Sequence, residues 1–215
     1  MPLCLPAYLP NLLFSKDIKL NIINGLILAA GFSSRMGSFK MGMDIGGISM
    51  IERTVLNMQY VCDKVIVVSG YKKEVIKDLL SGYENIEIVE NENYERGMFS
   101  SVYAGLKMLD CDRAFIQPGD IPFVSADVHN ALLADTEDIL IPIYKGKKGH
   151  PVLINKPVIE RILKEPEDSK LNELFRQYGY KTIEVFEDTI HFDIDDKGDY
   201  KRYLNEKCLN HDSKD

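Results

Sequence analysis

From Gly25 onward, short β-branched runs alternate with stretches whose apolar side chains recur every three or four positions. Few architectures accept that rhythm. Gly25-Leu26-Ile27-Leu28, Lys64-Val65-Ile66-Val67-Val68, Ile86-Glu87-Ile88-Val89 and Arg113-Ala114-Phe115-Ile116-Gln117 read as strands, because continuous apolar runs bounded by turn residues suit a sheet buried on both faces. Between them, Ser49-Met50-Ile51-Glu52 has the form of a capping box and is followed by Ile51, Val55 and Met58 on one face. Helices are also predicted over 74–80 and 100–109, the latter from the spacing of Val102, Leu106 and Leu109. Strands joined by helices give an α/β fold: a single three-layer αβα domain around a mostly parallel sheet. The pattern loosens after Ile139, where short strands over 139–143, 152–154 and 182–186 mix with helices near 157–163 and 171–177. This half reads as a subregion of the same sheet, not a second domain.

The first strand runs directly into Leu28-Ala29-Ala30-Gly31-Phe32-Ser33-Ser34-Arg35-Met36-Gly37-Ser38-Phe39-Lys40, a loop with small residues, two glycines, two cations and no hydrophobic period. Small residues let backbone N–H groups approach an anion, and Arg35 and Lys40 add positive charge. The residues alone fit a phosphate cradle or an ordinary strand-to-helix turn with solvated cations. Neither familiar phosphate motif is present: no Gly-Lys-Ser/Thr ending occurs, and Gly31 and Gly37 do not make G-x-G-x-x-G. The loop does resemble the signature L-A-A-G-x-S-x-R-M-G-x-x-K of nucleotidyltransferases with a GT-A-like fold. It matches at every fixed position from Leu28 to Lys40, and is most similar to the molybdenum-cofactor cytidylyltransferase family of the MobA-like NTP transferase superfamily. The resemblance covers about 25–203. It implies a nucleotide-diphospho-sugar-transferase-like (GT-A-like Rossmannoid) sheet, with Leu28, Ala29, Ala30, Gly31, Ser33, Arg35 and Lys40 around the nucleotide and Arg35 and Lys40 acting in catalysis.

Carboxylates supply the second part. Pro118-Gly119-Asp120-Ile121-Pro122 follows a strand, and open α/β sheets bind ligands beyond the carboxyl ends of their strands. Asp120 can be a turn residue or a hard oxygen ligand for Mg²⁺. The resemblance makes it the first metal ligand and a catalytic residue, with Pro118 and Gly119 beside the nucleotide. In Asp193-Ile194-Asp195-Asp196-Lys197-Gly198-Asp199, an extended chain would put Asp193 and Asp195 on one side, while Asp196 and Asp199 suit the cap and first turn of a following helix. The run resembles a family element that supplies a second metal ligand, with Asp196-Lys197-Gly198 replacing its Thr-Pro-Glu. Asp195 is preferred and Asp193 stays open.

Three further groups carry a resemblance beside a plainer reading. Asn91, Gly97, Ser100 and Ser101 match a segment that lines the nucleotide and acceptor sites, although Ser100 also reads as a helix N-cap. Ser69 and Gly70 close a strand next to the proposed cradle and join the nucleotide-binding set. Gly149-His150-Pro151, after the basic turn Lys145-Gly146-Lys147-Lys148, is similar to the Gly-His-Pro of cofactor cytidylyltransferases, which assigns Ser100, Gly149 and His150 to the acceptor. Solvated hairpin lysines are the plainer account of the basic turn itself. His129 and His191 receive no role.

Composition narrows the partners. A formal net charge of −7 disfavours nucleic acid or an anionic membrane, which need clustered cations. Cys4, Cys62, Cys111 and Cys208 are scattered without a C-x-x-C pair, so a disulfide framework, a thiolate metal site and a nucleophilic cysteine are not expected, and a reducing cytoplasm fits. Residues 1–24 form an extension of unknown role. Its apolar start is broken by Pro2, Pro6 and Pro10 and lacks a basic leader. The domain is expected over 25–205, with a polar tail at 206–215.

Together the resemblance implies a Mg²⁺-dependent nucleotidyltransferase. It would move CMP from CTP onto a phosphorylated pterin, the molybdenum cofactor, and release pyrophosphate; a recipient molybdenum enzyme or its chaperone would be the onward partner. Ala30 carries the choice of CTP, since guanylyl-transferring relatives usually hold Gly-Gly there. Another phosphorylated acceptor, such as a sugar or alcohol phosphate, stays open, as does a nucleotide-binding regulator without turnover.

Overall fold

The computed structural model describes residues 21–31, 39–196 and 198–202. Eight strands form one sheet: β1 (Ile23–Ala29), β2 (Lys64–Ser69), β3 (Ile86–Glu90), β4 (Arg113–Pro118), β5 (Ile139–Tyr144), β6 (Lys147–Lys148), β7 (Val152–Asn155) and β8 (Lys181–Glu184). Their order is β3-β2-β1-β4-β7-β5-β6, with β8 also paired to β5. The four strands of the first half are parallel, and β7 then enters antiparallel between β4 and β5. The sheet is therefore mixed, and its second half remains part of the same layer, as expected. The first strand begins at Ile23, two residues before the predicted start, because the backbone N–H of Ile23 donates to Asp63 and that of Ile22 to Asp112.

Among the described residues these helices cover the sheet: α1 (Met50–Gln59), α2 (Lys73–Leu80), α3 (Met98–Leu106), α4 (Ala126–Leu133), α5 (Lys156–Ile162) and α6 (Leu171–Tyr178). Successive side chains of a strand point to opposite faces, and β1 divides accordingly. Leu26 packs with Ile66, Val68, Val102 and Leu106 under α3, while Ile27 packs with Val65, Val67, Ile51 and Val55 under α1. The Ser49 capping box forms, its hydroxyl accepting from Glu52 N–H and the Glu52 carboxylate from Ser49 N–H.

Two expectations need correction. The third helix starts at Met98, not Ser100, and ends at Leu106. Gly97 stands at its N-cap with φ of +99°, a region that glycine enters without a Cβ penalty, so Ser100 lies inside the first turn. The helix α4, capped by the Ser125 side chain, had no counterpart in the sequence reading. None of the described helices is long and apolar enough to cross a membrane.

Candidate active site

The register brings four loops to one edge. Ala29 pairs with Ser69, Leu28 with Pro118, and Ser69 with Glu90. The carboxyl ends of β1, β2, β3 and β4 thus lie side by side, and the strand order reverses at β1, where ligands of open α/β sheets bind. Three backbone bonds continue the alignment past the strands: Gly119 N–H to Leu28 O at 2.9 Å, Tyr71 N–H to Ala30 O at 3.4 Å, and Asn91 N–H to Ser69 O at 2.8 Å.

Lys40 occupies this edge in a 3-10 turn (Lys40–Gly42). Its ammonium donates to Asp120 Oδ2 at 2.9 Å and to Asp195 Oδ1 at 2.6 Å. Burial by itself would lower the Lys40 pKa. The hydrogen bonds to Asp195 and Asp120, with their negative charge, outweigh it and hold the group above its ordinary value.

Each partner is fixed from behind. The Thr54 hydroxyl, fully buried on α1, reaches Gly119 O at 2.9 Å, and Asn57 donates to Pro122 O at 2.8 Å. Gln117 donates to Ile121 O at 2.8 Å. A Cβ on Gly119 would stand 2.9 Å from Met41 Sδ and 3.3 Å from Leu28 O, so the turn packs directly on the segment bearing Lys40. On the other side Ile194 is fully buried and its N–H donates to Asp120 O at 3.0 Å. The Asp199 carboxylate accepts from the N–H groups of Asp195 and Asp196 at 2.8 and 2.9 Å, while Asp196 accepts from those of Gly198 and Asp199. Asp196 and Asp199 thus perform the capping expected of them, and Asp199 also holds Asp195.

A cavity of about 600 Å³ reaches the carboxyl end of β1 at Leu28. Leu28, Gly97, Met98, Phe99 and Ile116 line it on one side, Gly149 and His150 on another, and Lys148, Phe175, Arg176 and Tyr180 beyond them. His150 is set by its N–H donating to Ile190 O at 2.9 Å, and Gly149 by its N–H donating to Pro142 O at 2.9 Å. The His150 Nδ1 is enclosed without a hydrogen-bond partner among the described residues. Burial lowers the imidazole pKa against the opposing pull of Asp120.

Most of the expected residues lie at this edge. Leu28, Ala29, Ala30, Gly31, Ser69, Gly70, Gly97, Pro118, Gly119 and Asp120 stand at or next to the aligned strand ends. Ser33 and Arg35 lie outside the described residues. Of the two carboxylates left open, Asp195 meets Lys40; Asp193 is exposed and makes no bond to Lys40 that accompanies those of Asp120 and Asp195. Asn91 and Ser101 are buried and bonded to each other, and Asn91 also donates to Ser100 at 2.8 Å. The Ser100 hydroxyl turns back to the carbonyls of Asn93 and Gly97. These three side chains pin the start of α3, while Arg96, Gly97, Met98 and Phe99 are what the segment presents to the cavity. Sequence reading missed Thr54 and Asn57 behind the centre, the hold of Asp199 on the Asp195 N–H, and Arg96, Lys170 and Arg176 around the cavity. Burial pushes the thiols of Cys62 and Cys111 up, Cys111 to about 11.

Residues 25–183 match the family model described as a MobA-like NTP transferase domain. The chain belongs to that family. As a member of the MobA-like NTP transferases it is a nucleotidyltransferase, with the mixed sheet of the GT-A-like Rossmannoid fold. It is 26% identical over 182 residues to the molybdenum cofactor cytidylyltransferase of Escherichia coli K12, covering 84% of this chain and 95% of that protein. It is 28% identical over 132 residues to a probable molybdenum cofactor guanylyltransferase of Natranaerobius thermophilus, covering 58% and 62%. Among solved structures, a nucleotidyl transferase from Methanothermobacter thermautotroptrophicus superposes with a TM-score of 0.75 at 21% identity, over 88% of this chain and 99% of that one.

Members of this family act on triphosphates, for which Mg²⁺ is the usual counter-ion, and the donor chemistry fits such an ion. Two carboxylate oxygens already converge on one cation, the Lys40 ammonium. Among the described residues no cluster of three or more metal-ligating side chains exists. Mg²⁺ usually takes only one or two carboxylates and completes its shell with water and phosphate oxygens.

Proposed function

We infer that the chain transfers CMP from CTP to the terminal phosphate of a molybdopterin-type acceptor and releases pyrophosphate. The observation that carries this reading is the Lys40–Asp120–Asp195 centre, built at the end of the signature strand, with a cavity lined by Leu28 of that strand and by Gly149 and His150. A non-reacting binding module has no need to spend a half-buried lysine and two distant carboxylates on one point. CTP is favoured by Ala30 and by the likeness to the Escherichia coli cytidylyltransferase over nearly its full length; the guanylyltransferase match is shorter.

In the reaction an acceptor phosphate oxygen forms a bond to the α-phosphorus while the bond from that phosphorus to the pyrophosphate oxygen breaks. An acceptor phosphate is already anionic near neutral pH, so no protein base is required. Mg²⁺ held by Asp120 and Asp195 would neutralise charge on the phosphate oxygens. Lys40 would stabilise the charge that moves onto the leaving pyrophosphate. The aligned strand ends would hold the triphosphate, and the imidazole of His150 would offer a hydrogen bond to the acceptor. Positioning and electrostatics dominate such transfers.

The test measures pyrophosphate release with each nucleoside triphosphate, Mg²⁺ and molybdopterin. Release that requires the pterin phosphate and prefers CTP is the expected result. Preference for GTP would overturn the base assignment, and release with a sugar phosphate alone would overturn the acceptor. Nucleotide binding without any release would make the chain a regulator.

A further inference from the structure

The cavity carries cations that the transfer centre does not use. Arg96 and Lys170 border it but are neutralised by Glu167 and Glu173, each at 3.0 Å, and one carboxylate, Asp168, also lines it. Arg176 differs. Among the described residues it forms no ion pair. The Lys148 ammonium sits 4.3 Å above the Tyr180 ring and donates to the Tyr180 hydroxyl, a neutral partner. The chain has 33 acidic against 26 basic residues, so two cations left without carboxylates at one cavity mark a place for an anion.

Their position matters. Leu28 lies on β1 and Ile141 on β5, three strands away in the sheet, a span on the order of 14 Å at the usual strand spacing. Between these ends the wall is apolar, with Phe99, Ile116, Val152 and Phe175. One end is lined by Leu28, whose carbonyl accepts from Gly119 N–H next to Asp120; the other is bordered by α6, which bears Arg176, and by β6, which bears Lys148.

We propose that Arg176 and Lys148 form a second anion subsite that clasps an acidic group at the far end of the acceptor. This deepens the acceptor reading above and rests on it. The substrate class is an elongated molecule with a phosphate monoester at one end, a weakly polar, ring-sized middle and a second anionic group about 10 Å or more away, at the far side of several strand spacings. A short polyol phosphate with one acidic group would leave both the apolar wall and the distal cations unused.

Two rod-shaped probes test this: biphenyl-4-yl phosphate and its 4′-carboxylate, titrated calorimetrically into the full chain. The carboxylate should improve wild-type binding at least about tenfold, as a charge-assisted hydrogen bond does. R176Q and K148Q should each reduce that gain and the double variant should abolish it, with the affinity for the carboxylate-free probe unchanged. R176K keeps the charge and should retain part of the gain, which a merely structural role for Arg176 does not require. Equal affinities of the two probes for wild type, or a gain that survives in the double variant, overturn the subsite. CTP-dependent pyrophosphate release on the same preparations separates the two readings: release that persists while the probe gain is missing refutes the subsite alone, and absent release with an intact probe gain refutes the transferase reading alone.

Discussion

Thr54→Val asks whether the reaction depends on a residue that never touches substrate. The Thr54 side chain is fully buried, and its hydroxyl lies 2.9 Å from Gly119 O and 3.0 Å from Met50 O. The Met50 carbonyl belongs to the same helix. The Gly119 carbonyl has only the turn around it, so Val leaves it without this buried partner. Loss of one partner of a buried hydrogen bond costs about 1–2 kcal/mol. For a chain of this size that is a fall of roughly 2–8 °C in melting temperature. The kinetic effect should be larger than the structural one. Gly119 precedes Asp120, and Asp120 meets Lys40 at 2.9 Å, so slack in the turn passes directly to the carboxylate. Misplacement of a reacting group by an ångström costs up to about a hundredfold in rate, and a partial loosening should lower kcat on the order of tenfold with KM for nucleotide less affected. Thr54→Ser separates the causes. It removes a buried methyl group, at a cost of about 1 kcal/mol, but keeps the hydroxyl, so it should melt lower and retain kcat. Thermal melts and pyrophosphate release on both variants provide the comparison. Wild-type kcat in Thr54→Val would refute the claim that this hydroxyl positions Asp120.

Other outcomes follow from the same geometry. Asp120→Ala should reduce pyrophosphate release at least about a hundredfold, the scale of losing one preorganised electrostatic group, while the melting temperature changes little because the ion pair is partly exposed to solvent; an undiminished rate would remove Asp120 from the reaction. Gly149→Ala would drive its Cβ into the backbone oxygen and side chain of Ile190, so urea denaturation should register a loss of about 1–3 kcal/mol from overpacking, and an unmoved midpoint would contradict the close approach. His129 is buried against Phe115, its Nδ1 donating to Ser125 O and its Nε2 unpartnered among the described residues. Burial lowers its pKa in the folded chain, so its contribution is present above the unfolded value near 6.5 and is lost as pH falls, because the unfolded chain takes up the proton first. Melts recorded from pH 7 down to pH 5 should lose that slope in His129→Leu; an unchanged slope would assign it to other groups.

The parts of the fold that were legible are those whose cause is local. The run Lys64-Val65-Ile66-Val67-Val68 becomes β2 because branched side chains suit a strand buried on both faces, and Ser49 with Glu52 starts α1 because the reciprocal bonds need only those two residues and their own backbone. The start of α3 was misplaced because two local rules competed. Ser100 is a good cap, yet Gly97 reaches a positive φ that frees the chain to turn three residues earlier, and Asn91, buried at the end of β3, rewards that earlier start by bonding Ser100 and Ser101. The helix α4 gave no comparable signal: His129 and Asn130 interrupt its apolar face, and what holds it is contact with β5 and Phe115, neither of which is near in sequence.

The site divides along the same line, but there a motif could stand in for distance. Lys40 is 80 residues from Asp120 and 155 from Asp195, and no local rule joins them. They were found because a strand-end loop and two acidic turns resembled a known signature, and Asp193 was carried along because alternation about Ile194 treats it like Asp195. Only the packing of Ile194 and the grip of Asp199 on the Asp195 N–H tell the two apart. Arg176 lacked even that help. On an amphipathic helix an arginine reads as part of a solvated face, and its sequence neighbours give no reason to think otherwise. Its meaning comes from where α6 is carried: into β8, which pairs with β5 and so brings the helix to the far wall of a cavity whose near wall is the end of β1. Relatives that share the transfer centre but act on different acceptors should therefore differ at α6 and the β5–β6 hairpin while keeping the Lys40, Asp120 and Asp195 positions, because the reaction fixes one end of the cavity and the acceptor the other.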